Sequence, residues 1–157
     1  MTLQEPTGGT LDIDVAGYAL RLDRSYHTPS HMWLMTVGDR VRVGLDALTA
    51  DTYGMLAQLQ LPPPGTPVEA DTAFGSLEAA KFVGPLLSPC DGVVAAFNGA
   101  VLDDPELAMR EPYDGGWLIE LTRPTDAPVP DTVSGDDALA WYQTAVAEHR
   151  EKGLVAE

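Results

Sequence analysis

Three consecutive prolines followed by a glycine, in Leu61-Pro62-Pro63-Pro64-Gly65, constrain this chain more than any other feature. Three prolines remove three backbone donors, so the segment is neither helix nor central strand. What surrounds it must be built from short pieces. Tyr18-Ala19-Leu20-Arg21-Leu22 alternates in part, and Met32-Trp33-Leu34-Met35 and Arg40-Val41-Arg42-Val43 follow, the last with a period of two. Asp46 to Leu59 is the one helical stretch in this region. Beyond the prolines, Phe74–Ala80, Phe82–Leu87, Gly92–Phe97 and Trp117–Leu121 are strand-like. Small, turn-rich and mostly β, the chain predicts a compact sandwich or flattened barrel of short antiparallel strands, with one short internal helix and a C-terminal helix.

Four regions follow. Residues 1–16, with Gly8-Gly9, form a flexible leader, and residues 17–123 form the β domain. Residues 124–133 are a proline-rich linker, and residues 134–157 are a helix packed on the domain. Ser134-Gly135-Asp136-Asp137 matches a capping box of the Ser-x-x-Asp type. Leu139, Tyr142, Val146 and His149 recur at helical spacing, and Gly153 is the expected stop.

Composition excludes several function classes. A net charge of −15 argues against a basic surface for nucleic acid or anionic membranes. It fits basic or neutral partners, and it fits equally an adaptation to an acidic proteome or a salty cytoplasm. No apolar stretch approaches membrane-spanning length, and Met1-Thr2-Leu3-Gln4-Glu5 lacks a basic start, so a cytoplasmic protein is expected. The single cysteine, Cys90, rules out an internal disulfide and reads as a small buried hydrophobe rather than a reactive thiol.

Lys81 stands out chemically. The chain has two lysines; Lys152 lies in the charged C-terminal helix, while Lys81 falls at the tip of a hairpin, Glu78-Ala79-Ala80-Lys81-Phe82-Val83. An amine held on a tight turn suits an enzyme that grips the turn and acylates it. Competing constellations are weaker. His27 and His31 are four apart, but Pro29 between them argues against a helix aiming both at one metal. Ser30-His31 lacks a nucleophile-elbow pattern. Gly115-Gly116 opens no helix and is a turn rather than a phosphate cradle, and Asp103, Asp104 and Glu106 read as a solvated loop.

Tyr26-His27-Thr28-Pro29-Ser30-His31-Met32-Trp33, Gly44-Leu45-Asp46-Ala47-Leu48-Thr49-Ala50, Leu61-Pro62-Pro63-Pro64-Gly65 and Gly75…Glu78-Ala79-Ala80-Lys81 form a collinear set. Ser88-Pro89-Cys90-Asp91-Gly92, Asn98, Pro105-Glu106-Leu107 and Pro112-Tyr113-x-x-Gly116-Trp117 continue it. This set resembles the H-protein family of the glycine cleavage system. The corresponding family segments are Ser-His-Glu-Trp, Gly-Ile-Thr-Asp-x-Ala-Gln, Leu-Pro-x-x-Gly and Gly-x-x-Glu-Ser-Val-Lys. The resemblance implies a lipoyl/biotinyl-type β-sandwich that is not itself an enzyme, with lipoic acid as an amide on Lys81. Glu78, Ala79, Ala80 and Phe82 would present the hairpin to a lipoyl ligase or lipoyl transferase. His31, Met32 and Trp33 would border a cleft in which the arm rests, although core packing competes for all three, and most for Trp33. Biotin is the rival cofactor, but biotin hairpins flank their lysine with methionines, and here the neighbours are Ala80 and Phe82.

Where the family has the Glu of Ser-His-Glu-Trp this chain has Met32, and where it has an Asp four residues after the lysine this chain has Pro85. Neither offers a carboxylate to a cationic amine. Together with the apolar Phe82-Val83-Gly84-Pro85, this makes the chain similar to H-protein-like lipoate-binding carriers of sulfur oxidation, with a heterodisulfide-reductase-like complex as partner. That pathway is the expected one. The alternative is a glycine cleavage H-protein, which carries the aminomethyl group between glycine decarboxylase and aminomethyltransferase. Either route implies a dihydrolipoamide dehydrogenase-like reductase. A more remote alternative is an acidic interaction module with no cofactor.

Overall fold

The computed structural model describes residues 12–155. The expected flexible leader therefore lies outside the described residues up to position 11. Its last part is not a leader: β1 (Asp12–Val15) pairs antiparallel with β2 (Tyr18–Arg21) through a turn at Ala16-Gly17, both with positive φ. The Arg21 guanidinium ties this ribbon to Asp12 and Asp114.

Two sheets close around the main core. One runs β12 (Thr132–Val133), β3 (Ser25–His27), β4 (Met32–Val37), β5 (Arg40–Leu45), β11 (Ile119–Thr122), β10 (Gly92–Phe97) and β7 (Pro67–Val68). The other is β6 (Leu56–Gln60), β8 (Ala73–Ala79) and β9 (Phe82–Leu87). Every pairing is antiparallel, the arrangement short strands joined by tight turns adopt most readily. Inward residues of both sheets, Leu34, Val43, Leu59, Leu77, Leu86, Val94 and Leu121 among them, form one buried cluster. A second cluster lies on the other face of the larger sheet, where Trp33, Tyr26 and Leu20 meet Tyr142 and Val146 of the C-terminal helix. This mostly β fold with a C-terminal helix is the expected class.

Several local expectations need correction. The helical stretch Asp46–Leu59 is helix α1 only over Ala47–Tyr53; Gly54 at φ +80° ends it, and Leu56–Gln60 is strand β6. Two further short helices, α2 (Gly99–Asp103) and α3 (Leu107–Arg110), join the expected one. The linker 124–133 contains β12, which pairs with β3. The C-terminal helix α4 (Gly135–Val155) begins where expected but runs through Gly153. No described helix is long and apolar enough to cross a membrane.

One ion cluster links the strands that carry the core. The carboxylate of Glu120, on β11, is buried and accepts from Arg42 at 2.9 Å and Arg40 at 3.1 Å. Burial pushes its carboxyl up, but the two guanidinium groups outweigh that and hold it below the usual carboxylate range. The folded state thus binds a proton less readily than the unfolded chain. The pair's contribution is present above the unfolded carboxylate pKa and disappears as pH falls through the lower, folded value. Glu120→Gln is expected to cost about 1–2 kcal/mol at pH 7 and to remove part of the acid sensitivity. Urea unfolding at pH 7 and at about pH 3.5, below the unfolded carboxylate value, checks both.

Candidate functional site

Helix α1 connects the C-terminal helix to the Lys81 hairpin. Its first amide groups have no partners within the helix, and side chains supply them. The Ala47 N–H donates to Tyr113 Oη, the Leu48 N–H to Tyr142 Oη of α4, and the Thr49 N–H to Asp46 Oδ1 at 2.7 Å. Burial pushes the phenols of Tyr113 and Tyr142 well above their ordinary value, so both stay neutral and can accept these bonds. Asp46 is fully buried and its other oxygen lies 2.8 Å from His31 Nδ1.

The far end of α1 holds the hairpin. Ala79 pairs with Phe82, leaving a two-residue loop, Ala80-Lys81. Neither loop residue has positive φ, so this is not a primed turn matched to strand twist. External carbonyls hold it instead. The Ala80 N–H donates to Met55 O at 2.9 Å and the Lys81 N–H to Tyr53 O at 2.8 Å. The Tyr53 ring stacks on Phe82 with centroids 4.4 Å apart and planes 10° from parallel. Phe82 in turn lies over Gly84, where an added Cβ would meet its ring at 3.0 Å. Gly54 leaves room for the lysine: a Cβ there would stand 3.4 Å from Lys81 Cγ. Lys81 itself is exposed, as are Ala80 and Glu78, whereas Ala79 is buried and Phe82 is partly buried. An exposed primary amine on a rigid, externally braced turn is a fitting acceptor for an acyl group presented by another protein.

Tyr142→Phe removes the acceptor for the Leu48 N–H while keeping the ring. A loss of about 1 kcal/mol is expected, with faster hydrogen exchange at the Ala80 and Lys81 amides because α1 transmits the slack. Exchange measured residue by residue checks this; unchanged protection at the hairpin would separate α4 from the site.

Two grooves flank α1. On one side Pro29, Ser30, His31, Thr49, Thr52 and Tyr53 face Ala145, Glu148, His149 and Lys152 of α4 across about 380 Å³. On the other, Ala47, Ala50, Asp51, Gly54 and Met55 face Glu106, Met109 and Arg110 across about 440 Å³. Of the residues expected at an arm-resting cleft, only His31 lines a groove; its φ is +61° and Trp141 lies 4.6 Å from its ring. Met32 and Trp33 are corrected to core positions. Met32 is 2% exposed and belongs to the main core, while Trp33 is 0% exposed and its Nε1–H donates to Pro112 O at 2.9 Å. Strand β4 is covered on both faces at this point, which leaves neither side chain available to an arm. His27 and His31 have separate partners, Ser30 and Asp46. Tyr53, Gly54 and Met55, the clamp on the hairpin, were absorbed in the stretch read as helix. The glycine inside that stretch was the available signal.

The sequence profile of the family described as glycine cleavage H-protein matches residues 25–143. Glycine cleavage system H proteins of Bacillus cereus (strain AH820) and Bacillus anthracis (strain A0248) are each 35% identical to this chain over 95 residues. In both cases the match covers 60% of this chain and 75% of the relative. Among solved structures, the glycine cleavage system H protein from Mycobacterium marinum superposes with a TM-score of 0.69 at 30% identity. That match covers 78% of this chain and 98% of the Mycobacterium protein.

Proposed function

The chain belongs to the glycine cleavage H-protein family, a family of non-enzymatic lipoyl carriers, and on that premise we propose that Lys81 is the lipoyl attachment residue of a glycine cleavage shuttle. The observation that carries this is the exposed Lys81 on a two-residue turn clamped by Tyr53, Gly54 and Met55. The residues present fit the group. The lysine stem passes beside Gly54, where an added Cβ would come within 3.4 Å of Lys81 Cγ, and an apolar-floored groove opens next to that glycine. In the attachment step a lipoyl ligase or transferase delivers the acyl group activated as an ester or thioester; the neutral Lys81 Nζ attacks the acyl carbon, the C–N amide bond forms as the bond to the activating group breaks, and that group leaves with the proton lost from Nζ. Glu78 and Ala80, exposed beside the lysine, are available for that enzyme to read. Bound there, lipoate supplies a dithiolane whose reduced thiols take up and release cargo. The rest of the chain orients the arm and raises its effective concentration at each partner.

The partners we assign are glycine decarboxylase and aminomethyltransferase, with a dihydrolipoamide dehydrogenase-like reductase to reset the thiols. Residence in the cytoplasm belongs to the same reading, since a free shuttle must diffuse between its partners. The support is that the matched family and the named relatives are glycine cleavage H proteins. The sulfur-oxidation pathway expected from the sequence rests on Met32 and Pro85, which leave the cargo without a carboxylate at two positions, and it has the weaker support. Incubating the purified lipoylated protein with glycine decarboxylase and glycine distinguishes them. Loading with steady turnover is the expected result. No loading, together with uptake of sulfane sulfur from a donor enzyme, would return the chain to sulfur oxidation.

A further inference from the structure

The groove on the Ser30–His31 side of α1 is walled by a part of the chain that the family match does not reach. Pro29, Ser30 and His31 form one wall, and Leu48, Thr49, Thr52 and Tyr53 of α1 form the floor. The opposite wall is Ala145, Glu148, His149 and Lys152, which recur at three- and four-residue spacing on one face of α4. The family profile stops at residue 143, so all four lie past it. Two contacts hold that wall in place. Tyr142 Oη accepts from the Leu48 N–H at 3.1 Å, and His149 Nδ1 stands 3.5 Å from Thr52 Oγ1 with its Nε2 3.9 Å from Asp51. The groove adjoins the attachment turn, because Tyr53 both ends the floor and offers the carbonyl that accepts from the Lys81 N–H. Lys81 is exposed and a lysine stem is long and rotatable, so an arm on it can turn into this groove.

Several acceptors around the groove are already engaged. Ser30 Oγ lies 2.8 Å from His27 Nδ1 and accepts from the Met32 N–H, and Thr52 Oγ1 donates to Leu48 O. The buried Asp46 carboxylate is held between the Thr49 N–H and His31 Nδ1. Met32, at the position where the family has its glutamate, is sealed in the core. Glu148 differs from all of these. It is exposed on the groove wall, and among the described residues the ion pairs here, His31 with Asp46 and His149 with Asp51, do not use it. We propose that Glu148 binds the aminomethyl nitrogen of the loaded arm, so that the C-terminal helix supplies the carboxylate that Met32 and Pro85 do not. The inference rests on the glycine cleavage reading, with Lys81 as the attachment residue. A cationic amine that leaves water needs an acceptor, and a charge-assisted hydrogen bond is the strong kind. Lys152 lies one turn further along the same face. At four residues from Glu148 it is within reach of that carboxylate while the arm is unloaded, an exposed pairing weak enough for a bound amine to displace. Glu148 thereby sets what the groove prefers, a cationic cargo over an uncharged one.

The test follows how long the cargo is kept. The full chain is lipoylated, loaded with glycine decarboxylase and glycine, freed of the enzyme and incubated, and intact mass times the loss of the aminomethyl increment to water. Glu148→Gln is expected to shorten that lifetime about two- to fivefold, the range an exposed charge pair supports. Glu151→Gln makes the same charge change on α4 outside the groove and is expected to match wild type. Backbone amide NMR on the same samples gives a second readout. Going from lipoylated to loaded protein, the Ala145 and His149 signals are expected to move in wild type and to move less in Glu148→Gln. Equal lifetimes for wild type and Glu148→Gln overturn the proposal, and so does an equal shortening by Glu151→Gln, which would make the effect one of net charge. A wild-type protein that is lipoylated on Lys81 but takes up no aminomethyl group would instead overturn the glycine cleavage reading, and this inference with it.

Discussion

Gly44→Ala is expected to cost about 3 kcal/mol or more, a large share of the 5–15 kcal/mol that holds an ordinary domain folded. A Cβ at Gly44 would stand 2.5 Å from Cζ2 and 2.6 Å from Cε2 of Trp33, well inside van der Waals contact. Trp33 has nowhere to go. It is fully buried, its indole N–H is bonded to Pro112 O, and the Arg24 guanidinium lies 4.6 Å over its ring. Displacing the ring strains the core and threatens a buried hydrogen bond, whose loss alone costs about 1–3 kcal/mol. Gly99→Ala is the control. Nothing stands within 4 Å of its added Cβ and the residue opens helix α2, so a change between zero and a slight gain is expected. Urea midpoints for both variants check the contrast. A loss below about 1 kcal/mol for Gly44→Ala would mean that Trp33 can be moved cheaply and does not anchor β4 to β5.

Lys81→Arg is expected to abolish lipoylation and, with it, all shuttle activity, while leaving the fold unchanged. The side chain is exposed and its backbone N–H, which bonds to Tyr53 O, survives the substitution, so stability should stay within about 0.5 kcal/mol of wild type. Arginine keeps the charge and most of the stem but has no primary amine to acylate. Complementation of a strain lacking its own H protein, with urea unfolding in parallel, separates loss of carrier function from loss of structure. Substantial complementation by the arginine variant would contradict Lys81 as the attachment residue, and failure of the wild type to complement, with the fold intact, would favour the cofactor-free interaction module.

The hairpin and its lysine were legible because their signals are local. Turn residues, strand-forming runs and a collinear set of short motifs all fall within a contiguous stretch, and strands Phe82–Leu87 and Gly92–Phe97 have the bounds read from sequence. The overlong helix has a tertiary cause. Leu56-Ala57-Gln58-Leu59-Gln60 is built of good helix formers, but Leu56, Gln58, Leu59 and Gln60 pair with β8, and that pairing overrides local preference. Helices α2 and α3 are too short for hydrophobic periodicity to register, and Asn98, whose side chain accepts from the Ala100 N–H, was the one local cue to α2. For Met32 and Trp33 the sequence leaves cleft and core both open, with core favoured for Trp33, because a strand buried on both faces cannot be told from sequence alone. What buries Trp33 is a helix that begins about a hundred residues later. The same distance hid the role of Tyr142, which steadies the start of α1 although nothing near it in sequence belongs to the site.

The central claim is that Lys81 carries the lipoyl group, and intact mass with peptide mapping tests it most directly, on protein made in a host able to lipoylate. The account predicts one lipoyl increment, located on Lys81, with Lys152 unmodified. An increment on Lys152, or none at all while the host's own H protein is fully lipoylated, would contradict it.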